Sequence, residues 1–561
     1  MTAPTLRTAM LRLRPIVHAS PVPDGIHVRG AQSSFTMNGA SGLWRLWQAT
    51  SVALADGRSH EQLLDMAPNP TVRTAMTTLV QQLHEHDMLV EIPPGWGESL
   101  DPADPPARIA SWLAAVAPDP VGAWERIRSA AVTVSRSGPV AAAASRALSG
   151  AGVKALCADG VGQLPAAPVL LAAGDVSVAV AACGDVGFVT PAGSAVSAHR
   201  DAEAIADRIG LPAEIPSPAV LAALVGGAAA HRLVCAIAGL PDPGEDTFAA
   251  APAAPSTIGY PTALIARLDP LRAEYHPWLD SAEPTLPVGR PADQDTVLTR
   301  VEALSDPETG VLPVLELDDL PQLPAGLAQC RIGSAVVCGI GTDTATARLS
   351  AAVGAAEHLI GLDSGAPAVV GADTRHAEGV LLRRLVHGHH PHPGGTEAEA
   401  ADWALSPDAR RWFKAVTLRF GVEADLRVHR TAPGVYHAEL LGDTELLGWA
   451  VENTPADAAA FCALAAAGTL QWRAAGGDPA ATVHAPCGAA PAPATKAPRS
   501  VPWQTGSWIW PAAAAEREDA LQRALRRLLV TRAQSATPVA TNSGLPRALA
   551  VAGFVALEFT P

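Results

Sequence analysis

The residues best suited to binding a metal ion lie in one histidine-rich run of the C-terminal half. His387–His392 contains four histidines, and imidazole nitrogens this close in sequence can bind Zn²⁺ or Ni²⁺. Gly388, Pro391 and Pro393 interrupt or follow the run, and they predict a loop without rigid ligand geometry. The pattern therefore favours an exposed polar loop, and it assigns no metal site.

Cysteines and common catalytic motifs give no further site. The seven cysteines include no Cys-x-x-Cys pair, which most structural zinc sites contain. Single cysteines in alanine-rich segments are most often small buried apolar side chains. Gly-x-Ser-x-Gly, His-Glu-x-x-His and P-loop patterns are missing from the sequence. We therefore predict no catalytic residue, no metal and no cofactor. The cysteines are Cys157, Cys183, Cys235, Cys330, Cys338, Cys462 and Cys487.

Length and charge limit the classes of protein that the chain can represent. With 561 residues and about 150 residues per domain, three or four domains are expected. The formal net charge of −15 disfavours nucleic acid or an anionic membrane as a partner. Apolar runs such as Val176–Ala182 are far shorter than the roughly 20 residues that span a bilayer. Without a signal-sequence pattern at the start of the chain, a cytoplasmic protein is expected.

Residues 1–92 have the pattern of a winged-helix module. Three extended runs, Arg12–Val17, Gly25–Arg29 and Ser33–Met37, precede three helical segments. Ser59 and Gln62 have the spacing of a capping box at the start of the second helix. Asn69 and Pro70 provide a cap and a first-turn proline for the third.

The predicted third helix lacks the charges that DNA binding requires. Its apolar stripe contains Val72, Ala75, Met76 and Leu79, whereas Arg73 is its single basic residue apart from histidine. A recognition helix that neutralises phosphates normally carries several lysines or arginines. We therefore expect the module to bind an extended peptide instead.

The remainder of the chain alternates strands and helices. Residues 93–128 are predicted to be a linker with one short helix around Ile109–Val116. Residues 129–285 begin with the strand Ala130–Ser135, the helix Val140–Ser149 and the strand Val153–Cys157. This βαβ order predicts an open, Rossmann-like α/β domain.

Residues 286–561 are predicted to form an α+β domain. Thr344–Leu359 and Pro455–Ala474 have helical patterns. Val416–Phe420, Ala424–Val428 and Val435–Leu441 are predicted strands, followed by a mobile loop at 475–505 and a last long helix at 512–531.

The N-terminal motifs resemble a known peptide-binding element. Phe35-Thr-Met-Asn-Gly39, Leu43-Trp-Arg-Leu46 and His60-Glu-Gln-Leu-Leu64 follow one another, as in the precursor-peptide recognition element of azole-forming biosynthetic proteins. In that family the leader peptide adds as a strand beside the third strand and packs on the third helix. The resemblance implies a peptide site formed by Ser33, Ser34, Phe35, Thr36, Met37, Asn38, Val72, Ala75, Met76 and Leu79.

The central motifs resemble the E1-like (ThiF-like) domain of the same machinery. Gly187-Phe-Val-Thr-Pro-Ala-Gly193 and Ser197-Ala-His-Arg200 follow that family's layout. Family members commonly have a zinc-binding Cys-x-x-Cys where this chain has Ser194-Ala-Val-Ser197. Its only candidate nucleotide turn contains Gly138 followed by Pro139, which removes a backbone donor. Asp159 is the sole candidate ribose ligand, so no nucleotide cofactor is expected.

The C-terminal motifs resemble a YcaO domain whose metal site is incomplete. Ser305-Asp-Pro-Glu-Thr-Gly310 and Gly339-Ile-Gly-Thr-Asp343 are similar to YcaO segments. In active members the helix that follows supplies carboxylates to Mg²⁺ and nucleotide. Here Gly354 stands where a glutamate three residues before Glu357 is expected, and Phe461–Trp472 contains no acid.

Together these resemblances are to the E1-like "F proteins" (Ocin-ThiF-like) of thiopeptide clusters. They imply a non-catalytic protein that binds the leader of a precursor peptide and presents it to a partner YcaO cyclodehydratase, with a homodimer possible. One alternative is an ATP-dependent cyclodehydratase in which Glu439, Glu445 or Glu452 converge on Glu357. Another is a winged-helix transcription regulator, which the neutral third helix disfavours.

Overall fold

The chain has a mixed α/β, multidomain architecture and divides into two compact units, Met1–Tyr275 and His276–Pro561. The structure is a computed structural model. It describes residues 10–31, 33–39, 42–98, 105–157, 167–212, 215–245, 260–280, 294–317, 319–389, 396–443, 445–487, 512–529, 536–541 and 544–559. Asp159 lies outside these residues.

The elements of the first unit are, in chain order, β1 (Met10–Leu13), β2 (His18–Val22), β3 (Gly25–Arg29), β4 (Ser34–Asn38), α1 (Gly42–Asp56), α2 (His60–Asp65), α3 (Pro70–Glu85), β5 (Leu89–Ile92), α4 (Ala107–Val116), α5 (Pro120–Ser129), β6 (Ala131–Val134), α6 (Pro139–Gly150), β7 (Lys154–Cys157), β8 (Val169–Ala173), β9 (Val176–Cys183), β10 (Val186–Val189), α7 (Ala195–Arg208), α8 (Ala219–Ala238), β11 (Thr262–Leu268) and β12 (Leu271–Pro277).

The N-terminal module, from β1 to β5, combines a three-stranded sheet with three helices. The sheet has the order β2-β3-β4, and β1 pairs separately with β5. The predicted helix starts are confirmed: Ser59 and Gln62 form a capping box, and the Asn69 side chain accepts a hydrogen bond from Val72 N before Pro70 begins α3. Local side-chain chemistry therefore fixes where α2 and α3 begin.

The predicted single strand Arg12–Val17 is wrong. β1 ends at Leu13, residues 14–17 contain a turn at Pro15–Ile16, and the next strand, β2, begins only at His18. Pro15 has no N–H to donate to a sheet, and Val17 N instead donates to Arg14 O at 3.0 Å. Only Arg12 and Leu13 of the predicted strand therefore lie in a sheet.

The rest of the first unit is built on a seven-stranded sheet, in the order β12-β11-β10-β9-β8-β6-β7. The predicted βαβ unit is confirmed, since β6 and β7 are parallel on either side of α6. The predicted Rossmann-like sheet is wrong beyond this pair, because β6, β8, β9, β10 and β11 pair antiparallel in succession. The predicted linker contains a second helix, α5, besides the expected α4. Among the described helices, α8 alone is long and apolar enough to cross a membrane, but it packs on α6 and β9 inside this unit.

Arg14 joins the N-terminal module to the rest of the first unit. Its buried guanidinium donates to the carbonyls of Ala114 and Ala117 at 3.1 and 2.9 Å, at the C-terminal end of α4. It also donates to the backbone and side chain of Asp87. A cation at this end of a helix satisfies carbonyls that have no partner within the helix.

We expect Arg14→Met to lower the free energy of unfolding of the first unit by about 1–2 kcal/mol, because these charged hydrogen bonds are lost. Urea denaturation measures the change. Arg12→Met is the matched control, since Arg12 makes one exposed hydrogen bond, to Ala55 O. Equal effects of the two substitutions would show that Arg14 does not anchor the module.

The elements of the second unit are α9 (Gln294–Leu304), β13 (Gly326–Ile332), β14 (Ala335–Gly341), α10 (Thr344–Ser364), β15 (Ala368–Gly371), α11 (Thr374–His389), β16 (Thr396–Glu397), α12 (Ala400–Ala404), α13 (Pro407–Lys414), a π-helical segment (Ala415–Arg419), β17 (Asp425–Ala432), β18 (Val435–Leu441), β19 (Leu446–Glu452), α14 (Pro455–Ala474), β20 (Thr482–His484), α15 (Ala512–Leu528), β21 (Ala536–Pro538), α16 (Gly544–Val551) and β22 (Val555–Phe559).

The described residues of the second unit form three small sheets. Their orders are β13-β14-β20, β15-β22-β21 and β16-β17-β18-β19. The helices α10 and α14 are present where the sequence predicts them. The predicted strand Val416–Phe420 is wrong: Ala415–Arg419 continues α13 as a π-helix, and buried Val416 packs against α14. Of the predicted loop 475–505, residues 482–484 form β20, and 488–505 lie outside the described residues.

Candidate functional site

β4 is an edge strand whose outer backbone groups face away from the sheet. Among the described residues it pairs with β3 alone. Gly39 N donates to Asp24 O and Gly30 N to Ser33 O, at the two ends of the β3–β4 ladder. Because hydrogen-bonded pairs alternate in an antiparallel ladder, Phe35 and Met37 also bond to β3. The N–H and C=O groups of Ser34, Thr36 and Asn38 therefore point outward.

The side chains of β4 divide between the core and the surface. Phe35 is buried and Met37 half-buried in the module's core, whereas Ser34, Thr36 and Asn38 are exposed. Phe35 stacks on the ring of His86 at the end of α3, with 5.0 Å between ring centroids. Ser33, in the turn before β4, donates through Oγ to His86 O at 2.9 Å. These contacts fix the end of α3 beside the start of β4.

The predicted residues of α3 do not share one environment. Met76 and Leu79 are 2% and 0% exposed and belong to the core. Val72 and Ala75 are half-buried. The four residues follow one stripe of α3, as expected, but only Val72 and Ala75 are exposed enough to contact a ligand.

Helical spacing places three further residues of α3 on the side of the helix that carries His86. Gln82, Thr78 and Ala75 lie four, eight and eleven positions before His86, on the same side of the helix. Gln82 is half-buried and Thr78 exposed, and the Thr78 hydroxyl donates to Thr74 O within the helix. The helix thus offers a neutral wall beside the β4 edge. The contacts of His86 with Phe35 and Ser33 identify the side of α3 that faces this edge, and no sequence pattern indicates them.

The second unit contains a cavity of about 450 Å³ between α10, α11, β19 and the segment after β20. Glu357 is the only carboxylate among the described residues that line it. This glutamate accepts hydrogen bonds from Val370 N at 3.1 Å and Arg384 Nη1 at 2.9 Å, and it lies 3.6 Å from His484 Nδ1. The Glu357 carboxylate is therefore held in place by backbone and side-chain groups of this chain.

Position 354 has no room for the expected glutamate. A Cβ atom on Gly354 would overlap the imidazole ring of His484. Burial lowers the pKa of His484 to about 4, so this imidazole is neutral near pH 7. A neutral ring occupies the space where the YcaO resemblance implies a second carboxylate.

The carboxylates of the alternative cyclodehydratase do not contact Glu357. Glu452 pairs with Arg383, and Glu445 is an exposed residue that pairs with Arg473. Glu439 lies within 4 Å of His387 and His437. The described residues thus place these acids in three separate environments.

Arg383 is the centre of a buried ionic group beside the cavity. It bonds to both carboxylate oxygens of Glu452 at 3.1 and 2.8 Å, and to both of Glu518 at 2.7 Å. Burial opposes the charge of Arg383, but the two glutamates raise its pKa well above the usual value. Burial likewise opposes ionisation of Glu518, and the charge of Arg383 lowers its pKa overall. This group ties α11, β19 and α15 together.

The two segments compared above with an E1-like domain, the turn at Gly138 and Ser194–Ser197, each lie at the start of a helix. Gly138 has a φ of 135° and precedes α6 without a side-chain cap. Ser194 caps α7, and its side chain accepts a hydrogen bond from Ser197 N at 3.2 Å. Ser194 and Ser197 therefore begin a helix where the resemblance implies zinc-binding cysteines.

No protein-family model and no curated protein matches the chain. Solved structures similar to it include a heterocyclase in complex with substrate and cofactor, with 14% identity, a TM-score of 0.47, and coverage of 99% of this chain and 94% of that one. The heterocyclase TruD has 11% identity, a TM-score of 0.49, and coverage of 98% and 94%. Escherichia coli MccB with AMPCPP and MccA has 11% identity, a TM-score of 0.32, and coverage of 50% and 99%.

Proposed function

We propose that this chain is a non-catalytic protein that captures the leader of a ribosomal precursor peptide and presents it to a partner YcaO cyclodehydratase. The observation that carries the proposal is the outward row of N–H and C=O groups on Ser34, Thr36 and Asn38. An extended leader segment adds to this row as a fourth strand. Its backbone hydrogen bonds supply affinity, and alternate side chains supply specificity.

The wall formed by α3 supports a peptide as the ligand. Thr74 and Thr78 are exposed, but each hydroxyl donates to a carbonyl one turn earlier in the same helix. These donors are therefore already used within α3, and half-buried Ala75 lies one turn before Thr78. Arg73 pairs with Asp65 at 3.1 Å. Such a surface suits apolar peptide side chains better than phosphates.

The second unit supports a role without catalysis in this chain. Mg²⁺-nucleotide sites need several oxygen ligands, and one carboxylate lines the cavity among its described residues. Binding of the leader by this chain raises the effective concentration of the core cysteine, serine and threonine residues at the partner's active site. The partner then performs the cyclodehydration.

The test uses the full-length chain, because Arg14 joins the module to α4. A fluorescein-labelled leader, taken from the precursor encoded beside this chain, is titrated in fluorescence polarisation against a scrambled peptide of the same composition. We expect saturable binding of the leader alone. ATP hydrolysis is measured in the same samples, and we expect none above background.

The outcomes separate the three functions. Binding without ATP hydrolysis supports the proposal, whereas hydrolysis that depends on the precursor peptide supports an ATP-dependent cyclodehydratase. Absence of leader binding, together with salt-dependent binding of duplex DNA from the promoter region, would support a regulator instead.

A further inference from the structure

Three potential metal ligands from two elements converge beside the cavity. His387 Nδ1 lies 2.9 Å from His437 Nε2 and 3.8 Å from Glu439 Oε1, and His437 Nε2 lies 3.7 Å from the same oxygen. Among the described residues, this is the only group of three or more histidine, cysteine or acidic side chains within metal-binding distance of one another. It includes one histidine of the run between His387 and His392.

The fold gives His387 the rigid position that the sequence pattern did not predict. The predicted loop is wrong at this residue, because α11 continues through His389. The ring of His387 stacks on Trp449 of β19, with centroids 4.1 Å apart and an interplanar angle of 5°. Residues 390–395 lie outside the described residues. His387, the first histidine of the run, is therefore fixed on α11 against β19.

The other two ligands are held by one strand. His437 and Glu439 are two residues apart on β18, so their side chains share one face of the sheet. Trp449 lies opposite Glu439 on β19, which places the stacked His387 ring above this pair. His437 is 0% exposed and Glu439 is 6% exposed. Burial of this kind limits the movement of both side chains.

The separations of the three atoms fit a small divalent ion. A point equally distant from them lies about 2.0 Å from each, which is the length of a zinc–nitrogen or zinc–carboxylate bond. Two imidazoles and one carboxylate form a donor set found in zinc enzymes, and nitrogen donors favour Zn²⁺ over Mg²⁺ or Ca²⁺. One glutamate also compensates half of the ion's charge within a buried site.

The contact between the two histidines suits metal binding as well. Two nitrogens 2.9 Å apart share one proton when they hydrogen-bond to each other. A bound ion takes the place of that proton and bonds to both nitrogens.

We propose that His387, His437 and Glu439 bind one Zn²⁺ ion beside the cavity that His387 lines, with a fourth coordination position open to water. Three protein ligands and an open position are the arrangement of zinc sites that bind water or a substrate atom. The three ligands all lie in the second unit, whereas the proposed peptide site lies in the first.

The test measures metal binding by the full-length chain, purified with a tag that contains no histidine and stripped with EDTA. Zn²⁺ is titrated in competition with a chromophoric chelator, and Co²⁺ is added separately as a spectroscopic probe. We expect one tightly bound Zn²⁺ per chain, and the visible absorption of four-coordinate Co²⁺. His387→Ala and Glu439→Gln should each weaken Zn²⁺ binding by about a hundredfold or more and remove the Co²⁺ band.

His389→Ala is the matched control, since it removes a neighbouring histidine of the same run and leaves the three ligands in place. We expect it to bind Zn²⁺ as the unaltered chain does. Equal loss in His387→Ala and His389→Ala would assign binding to the histidine run as a whole and overturn the site. A stoichiometry below one Zn²⁺ ion per chain would overturn the site too. Glu439→Gln keeps the shape of the side chain, and circular dichroism verifies that each variant is folded.

Discussion

Arg383→Met is expected to lower the free energy of unfolding of the second unit by about 3–5 kcal/mol. The substitution leaves the carboxylates of Glu452 and Glu518 buried without their cation, at 2% and 4% exposure. Each must then bind a proton or draw in water, and both processes oppose folding near pH 7. Methionine fills much of the arginine volume, so the loss of charge dominates the change. Guanidinium denaturation monitored by circular dichroism measures it.

Arg526→Met provides a control on the same pair of helices. Arg526 of α15 pairs with Glu378 of α11, but both side chains are more than a third exposed. We expect this surface pair to contribute at most about 1 kcal/mol. The triple substitution Arg383→Met, Glu452→Gln, Glu518→Gln should recover part of the loss, because no charge of this ionic group then remains buried. A single substitution at Arg383 that costs no more than Arg526→Met would contradict a buried ionic centre.

Thr36→Pro is expected to weaken leader binding by about thirtyfold or more, or ~2 kcal/mol. The Thr36 N–H points away from β3, so proline removes a donor to the incoming strand and leaves the β3–β4 ladder intact. Edge strands accept proline at such positions, and the residue before it, Phe35, is already extended. Fluorescence polarisation with the labelled leader measures the change.

Thr36→Ala is the matched control for this substitution. Both variants lose the hydrogen bond between Thr36 Oγ1 and His27 Nδ1 at 3.0 Å, but alanine retains the backbone donor. We expect Thr36→Ala to bind the leader within about threefold of the unaltered chain. Similar affinities of the proline and alanine variants would show that the backbone of β4 does not bind the peptide.

Local patterns predicted much of the fold. The capping residues Ser59 and Asn69 identified two helix starts, and the extended run Gly25–Arg29 was a predicted strand that the structure contains. These features depend on residues that are neighbours in sequence. The same reasoning failed at Arg12–Val17, where a proline turn separates two strands, and at Val416–Phe420, where packing against α14 favours a helix.

The sites were harder to predict because they combine residues distant in sequence. His387 and Glu439 are both visible as possible ligands, but only the packing of α11 on β18 and β19 brings them together. His484 explains the glycine at position 354, and no pattern links these two positions in the sequence. At the β4 edge the strand itself was predictable, whereas its outward backbone groups follow from the register with β3.

Residue-resolved hydrogen exchange on the full-length chain, with and without saturating leader peptide, tests the proposed peptide site most directly. We expect the amides of Ser34, Thr36 and Asn38 to exchange more slowly when the leader is bound, because they become hydrogen-bonded. The amides of Phe35 and Met37 already bond to β3 and should change less. Unchanged exchange at all three outward amides, with the peptide bound, would contradict strand addition at β4.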